Sequence, residues 1–433
     1  MPDVYQRQAK EQAPKNIHFM EEILAMKKSA IQLVILIVVS VSAYAQSNVT
    51  LYGIIDSGVN YTNNVQTART ATGFTGGHQI AMIEGGSAGL QGSRWGLRGS
   101  EDLGGGLKAI FVLESGFYSN NGVLNQGGAL FGRQAYVGLG QSVGTVTLGR
   151  QYDPVVDLYG PFLAAPQWGG YMSSHPGDLD NALNSRRINN SIKFRSANYR
   201  GLTVEAMMNL GGTPGSFSSN WIWGAGAAYA SGPFSIGAGY LNIRNPNTSF
   251  FGANPNAGPA TTNNLGSFGS ATSPESNPVF AGYASANRLE IAGVAAGVTL
   301  GSLNVNLAYS NTRFEDMGSS SGPNPLRYRG TAAFNNAEIN AKYQFTPALL
   351  AGVAYDYTRN GGAGGKGGAN YNLFSAGVDY FLSKRTDVYT IAVYEKSSGT
   401  DSLGQSAVAQ ITGLTPSTND SQVSLRVGIR HKF

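Results

Sequence analysis

The sequence predicts an all-β chain, a 16-stranded antiparallel transmembrane β-barrel. Three observations carry this: apolar and polar residues alternate with a period of two, connections alternate between short and long, and an export signal precedes the first strand. The signal begins at Met26, where Lys27 and Lys28 precede the apolar run from Ile31 to Val41 and the small-residue stretch Ala43-Tyr44-Ala45. Residues 26–45 thus read as a cleavable signal peptide and 46–433 as the barrel. The apolar run falls short of the roughly 20 residues that a spanning helix needs. The polar segment 1–25 has no place ahead of a signal peptide and reads as an upstream start-site extension, with Met26 the initiator.

Composition points the same way. The chain holds 59 Gly and 22 Tyr, only 13% charged residues and no Cys, whereas a soluble protein carries about 25% charge. Few charges and many aromatics suit a wall with lipid on one side and water on the other. The formal net charge of +5 is dispersed, without the basic cluster and interleaved aromatics that nucleic-acid binding requires. No nucleic-acid partner and no cofactor are expected.

The strands are read in order at 48–60, 91–101, 107–117, 132–140, 144–151, 187–196, 201–209, 221–231, 233–243, 288–300, 303–312, 334–345, 349–358, 371–383, 386–397 and 421–433. The alternation is plainest at 303–312, where Leu303, Val305, Leu307 and Tyr309 oppose Asn304, Asn306, Ala308 and Ser310. Tight turns such as Gly301-Ser302 and Lys384-Arg385 alternate with loops at 61–90, 118–131, 152–186, 210–220, 244–287, 313–333, 359–370 and 398–420. That asymmetry fits short periplasmic turns and long extracellular loops, with both termini on the short-turn side. The loops are rich in Gly, Asn, Ser and Pro and are expected to be the mobile part. In the last strand Val423, Leu425, Val427, Ile429 and Phe433 share one face and Ser424, Arg426, Arg430 and Lys432 the other, so Phe433 is expected in an interfacial aromatic girdle.

Several motifs resemble a known family: Val49-Thr50-Leu51-Tyr52-Gly53-Ile54-Ile55-Asp56, Ser93-Arg94-Trp95-Gly96-Leu97-Arg98-Gly99, Arg133-Gln134-Ala135-Tyr136-Val137-Gly138-Leu139, Leu148-Gly149-Arg150-Gln151 and the terminal His431-Lys432-Phe433. In combination they resemble the general-diffusion porins of Gram-negative bacteria, in particular the β-proteobacterial branch. The resemblance implies a homotrimer in the outer membrane, in contact with its lipid and lipopolysaccharide. It also implies a third loop folded into the lumen, and a terminal Phe433 that serves as the insertion signal for the barrel-assembly machinery.

A pore constriction needs fixed charges facing one another across the lumen. If Trp95 and Leu97 face lipid, Arg94 and Arg98 point inward. Arg133 joins them if Tyr136 faces the membrane, and outward Ile188, Ile192 and Phe194 leave Arg187, Lys193 and Arg195 inside. An unpaired Arg on the lipid face would cost about 2 to 4 kcal/mol at the midplane, which supports the inward assignment. By resemblance, Arg94 or Arg98, Arg133 and Arg187 match the arginine cluster of the family's eyelet. Each Arg taken singly also reads as an ordinary solvated lumen residue.

Facing acids are expected on the third loop at Asp153 and Asp157, with Asp178 and Asp180 further on. The stretch Phe162 to Gln167 lacks the carboxylates that enteric relatives place there, and the excess of inward Arg over loop acids predicts weak anion selectivity. Tyr52 and Asp56 share a face; both could line the pore, and Asp56 reads equally as the partner of a wall Arg. Arg150 has outward parity, suited either to a neighbouring subunit's loop or to an exposed loop end.

Three rival functions are weighed against passive diffusion of small ions and hydrophilic solutes. An outer-membrane enzyme would need a nucleophile with a positioned base, yet His78, His175 and His431 sit in no catalytic or metal-binding motif. A β-helix adhesin would show a short fixed repeat, and none is found. A substrate-specific channel with an aromatic slide is compatible with the abundant Tyr, although girdle positions account for many of them.

Overall fold

A computed structural model describes residues 48–433; the expected signal peptide and upstream extension lie outside the described residues. Seventeen strand segments form the wall: β1 (Asn48–Thr70), β2 (Gly73–Glu84), β3 (Arg94–Gly104), β4 (Leu107–Gly116), β5 (Gln134–Gln141), β6 (Gly144–Gln151), β7 (Ile188–Ser196), β8 (Leu202–Asn209), β9 (Ile222–Ser231), β10 (Phe234–Arg244), β11 (Arg288–Leu300), β12 (Leu303–Met317), β13 (Gly330–Thr346), β14 (Leu349–Asn360), β15 (Gly368–Phe381), β16 (Thr386–Thr400) and β17 (Ser421–Lys432). Each pairs antiparallel with its neighbours, and β1 pairs with β17 to close the ring. β2 pairs with the upper half of β1 and β3 with its lower half, so the two share one position in a closed 16-strand barrel. Closure leaves no sheet edge through the bilayer, where each unpaired peptide group would cost several kcal/mol. The last residue completes it: Gly53 N–H donates to Phe433 O and Phe433 N–H to Gly53 O, each at 3.0 Å.

Alternation decides which face meets lipid. Leu425, Val427 and Ile429 are exposed on the outer surface while Ser424 and Arg426 are buried within, and β12 and β13 follow suit with Leu307 and Ile339 outside and Asn306 and Asn340 inside. So much exposed apolar surface would be anomalous on a soluble monomer and is what a lipid belt requires.

The structure corrects the expected 61–90 loop. Its first part is a hairpin, with β1 running on to Thr70 and β2 returning beside it. Residues 85–93 then leave the wall and enter the lumen through a single helical turn, α1 (Gly85–Ala88), before β3 resumes. Asp56 holds this excursion: its carboxylate accepts Gln91 N–H at 2.9 Å, and its backbone N–H donates to Ser93 Oγ at 3.1 Å.

The long loops also pack rather than splay. Phe250, Phe251, Phe280 and Tyr283 of the fifth loop, Tyr328 of the sixth and Ala407 of the eighth join Phe314 and Phe334 of the wall in one buried apolar cluster inside the barrel mouth. The third loop lies beneath, with Val155, Tyr159, Leu163 and Met172 all buried. Its docking depends on glycines that face inward. The Trp168 ring lies against the cross-strand pair Gly352 and Gly377, and a Cβ on Gly352 would come within 2.3 Å of Trp168 Cδ2. Gly352→Val is therefore expected to lower stability by about 1 to 3 kcal/mol, the usual range for overpacking, measurable as a lower thermal midpoint in detergent.

Candidate functional site: a cationic eyelet

The third loop (152–187) is fixed by a buried polar latch. His175 Nδ1 lies 2.7 Å from Asp180 Oδ2, while its Nε2 lies 3.2 Å from Glu338 Oε2 on β13 and 3.7 Å from Asp356 Oδ2 on β14. Ser310 on β12 donates to the same Asp180 oxygen at 2.7 Å, and Ala164 N–H to Glu338 Oε1 at 2.8 Å. Burial alone would depress the His175 pKa, but the charges of Asp180 and Asp356 and the bonds to Asp180 and Glu338 hold it well above the ordinary histidine value. The loop tip meets the 85–93 excursion, where Tyr171 N–H donates to Gly89 O at 2.8 Å.

Between these two inserts and the wall of β3 to β5 lies a chamber of about 590 Å³. Its charged lining consists of Arg94, Arg133, Arg186 and Arg187 against one carboxylate, Glu114. Glu114 accepts Arg133 Nε at 2.7 Å and Tyr52 Oη at 3.0 Å, with Arg94 Nε at 3.6 Å. Tyr152 accepts from Arg133 at 2.7 Å, and the Arg187 guanidinium sits over its ring at 5.5 Å. Burial lowers the pKa values of Arg186 and Arg187, yet guanidinium starts so high that both stay charged. The Nε groups of both are buried without a hydrogen-bond partner among the described residues.

The structure thus brings together Arg94, Arg133 and Arg187 and adds Arg186. Arg98 faces the same lumen but lies four residues toward the periplasmic end, exposed and over the Tyr52 ring at 5.3 Å. The placement of Arg133 arises by a different route from the expected parity. Tyr136 faces inward, since Val137 and Leu139 are the lipid-exposed residues of β5, and Arg133 precedes the strand and turns in freely. Ile188 is likewise inward and fully buried, because Asn190, with φ 52°, interrupts the alternation of β7 before Ile192 and Phe194 resume the outer face.

The expected acids do not face the arginines. Asp153 is fully buried, capping the third loop's first turn through Val155 N–H at 2.9 Å and bonding Asn181 Nδ2 at 2.7 Å, and burial pushes its pKa up to about 6. Asp157 pairs with Lys193 at 2.6 Å. Asp178 is buried too, raised to about 6 by burial, and accepts Leu183 and Ser185 N–H groups at 3.0 Å. Asp56 is the partner of a wall Arg, Arg426 at 3.3 Å, and is sealed from the pore. Arg195 pairs with Glu205. Arg150 keeps its outward position and is tied within the chain to Gly132 O, Asn189 and Asn254. Glu114 escaped the sequence reading, although a carboxylate directly after the apolar run Ala109 to Leu113 had to point into the lumen.

A model of one family, described as Gram-negative porin, matches residues 33–400. The chain belongs to the Gram-negative porin family. It is an outer-membrane β-barrel that forms a water-filled diffusion channel. Among curated relatives, an outer membrane porin of Bordetella pertussis is 39% identical over 182 residues, covering 41% of this chain and 46% of that protein. Outer membrane porin protein 32 of Delftia acidovorans is 28% identical over 429 residues, 94% of this chain and 100% of the relative. Of the solved structures, the anion-selective porin from Comamonas acidovorans superposes with a TM-score of 0.64 at 22% identity, covering 90% of this chain and all of the other. At that identity the likeness shows the shared fold.

Proposed function

We propose that this porin is a passive, anion-preferring channel for small hydrophilic solutes, not an enzyme, and that its preference is set at the arginine chamber. The observation that carries the reading is the lining itself, four guanidiniums against one carboxylate that is already engaged by Arg133. A net positive constriction raises the local concentration of anions and repels cations. The neighbour from Comamonas is titled an anion-selective porin, which agrees with this direction. Planar-bilayer reversal potentials in a KCl gradient test it: a chloride-selective sign is expected, and a strong potassium preference overturns the reading.

Assembly as a homotrimer belongs to the same proposal, supported by a Vibrio cholerae neighbour solved in trimer form; conductance rising in steps of three is the expected record. Arg150, pinned on the outer surface, is the proposed subunit-facing cation. Export by cleavage of residues 26–45, and recognition of Phe433 by the barrel-insertion machinery, complete the reading, with Phe433 placed on the outer parity and 44% exposed.

A further inference from the structure

The wall directly below the arginine chamber departs from the rule that lumen positions are polar. On β12 and β13 the inward residues include Asn306, Ser310, Glu338 and Asn340, as a water-filled interior requires. On β4 the inward parity runs Glu114, Val112, Ile110 and Lys108, because Val112 pairs with Arg98 of β3 and with Tyr136 of β5, both lumen-facing. Two consecutive lumen positions are therefore aliphatic. Inward apolar residues of the opposite wall are covered: Leu241 and Ile291 are fully buried in one cluster with Val155 and Tyr159 of the third loop. Val112 and Ile110 have no such cover. Both are half-buried and line a pocket of about 230 Å³ in the lumen.

The register sets a cation, an aliphatic side chain and an aromatic ring side by side. Val112 has Arg98 on one flank and Tyr136 on the other, with about 5 Å between neighbouring strands. Ile110 follows one step down, between Ser100 and Gly138. The Arg98 guanidinium rests over the Tyr52 ring at 5.3 Å, and Tyr52 in turn donates to Glu114 at 3.0 Å. Glu114 lies two residues above Val112, about 7 Å along the strand, where the arginine chamber begins. Arg94 lines the chamber and Arg98 the pocket, four residues apart on one face of β3. A carboxylate leaving Arg94 and Arg133 toward the periplasm thus meets Arg98, in the row where Val112 and Tyr136 present apolar surface.

We propose that this row is a subsite for aryl carboxylates, the carboxylate pairing with Arg98 and the ring lying on Val112, Ile110 and Tyr136. The inference rests on the anion-preferring reading of the channel and adds the class of anion. Guanidinium holds carboxylate through two parallel hydrogen bonds, and the ring sheds water against the aliphatic pair. Chloride or a sugar acid uses the guanidinium alone. The test is block of the single-channel chloride current by benzoate, with gluconate as the hydrophilic carboxylate and benzyl alcohol as the uncharged ring. Benzoate is expected to block at a concentration about fivefold below gluconate, the gain from partly burying one ring, and benzyl alcohol to leave the current unchanged. In Val112→Thr/Ile110→Thr, which keeps β-branched side chains on the strand, the advantage of benzoate over gluconate is expected to vanish. Arg98→Gln is expected to weaken both carboxylates alike. A chloride-selective wild type blocked no better by benzoate than by gluconate, or equally by benzyl alcohol, overturns this inference and leaves the anion-preferring reading standing. An undiminished benzoate advantage in the double threonine variant does the same. A potassium-selective reversal potential overturns the underlying reading, and the subsite with it.

Discussion

Replacing His175 by Gln is expected to release the third loop from the wall and to produce a noisier, wider channel. The substitution removes the cation that faces Asp180, Glu338 and Asp356 in a fully buried setting, and breaking a buried pair from one side costs about 3 to 5 kcal/mol. The loss should be local, because the barrel ladder does not pass through the latch. Single-channel recordings with larger, fluctuating conductance and an unchanged far-ultraviolet circular dichroism spectrum would confirm it; wild-type conductance and stability would refute it.

The same latch gives a signed pH dependence. His175 has its folded pKa raised, so its contribution is complete below the unfolded value of about 6.5 and is lost as pH rises through the higher folded value. Asp180 is shifted the other way: burial, the largest influence, opposes its charge, but the charge of His175 and the hydrogen bonds from His175, Ser310 and Ala182 N–H together outweigh it and lower the pKa, so its contribution holds above the unfolded value and disappears only in stronger acid. Asp153 and Asp178, raised to about 6 by burial, weaken the docked loop as pH climbs from about 4 to 6. Loop docking is therefore expected to loosen on the alkaline side, with conductance noise increasing there in the wild type and losing that dependence in His175→Gln.

The second large effect concerns selectivity. Arg133→Gln combined with Arg187→Gln is expected to abolish most of the anion preference, and Glu114→Gln to strengthen it. A unit charge at roughly 7 Å in a water-like medium is worth about 0.6 kcal/mol, or about threefold in local ion concentration, so two removals amount to about tenfold. The effect should be largest in dilute salt and shrink in 1 M KCl, where the Debye length is about 3 Å. An unchanged reversal potential in the double variant would place the selectivity filter elsewhere.

What could be read in advance follows from which signals are local. The period of two in β11 to β17 survives into the wall almost residue for residue, because lipid outside and water inside impose opposite chemistry on successive side chains. The hairpin at 61–84 was missed because Gly73, Gly76 and Gly77 dilute the alternation of β2. Arg94 lines the chamber, whereas the parity argument for Arg133 and Ile188 does not hold where a loop entry and the left-handed Asn190 shift the phase. The loop acids were misjudged for a different reason. Asp153 and Asp178 serve backbone N–H groups within the third loop, and such capping depends on a fold no spacing rule describes.

The junction of Phe433 with Gly53 has a consequence for biogenesis. Of the described strands β1 is made first and β17 last, yet each is the other's hydrogen-bonding neighbour. β2 and β3 can pair with one edge of β1 early, but its other edge waits for β17, and joining ends so distant in sequence is slow and entropically opposed. The wall therefore cannot be completed while synthesis or export is still under way. Until β17 arrives to seal the cylinder, the chain stays open along that seam and prone to aggregate.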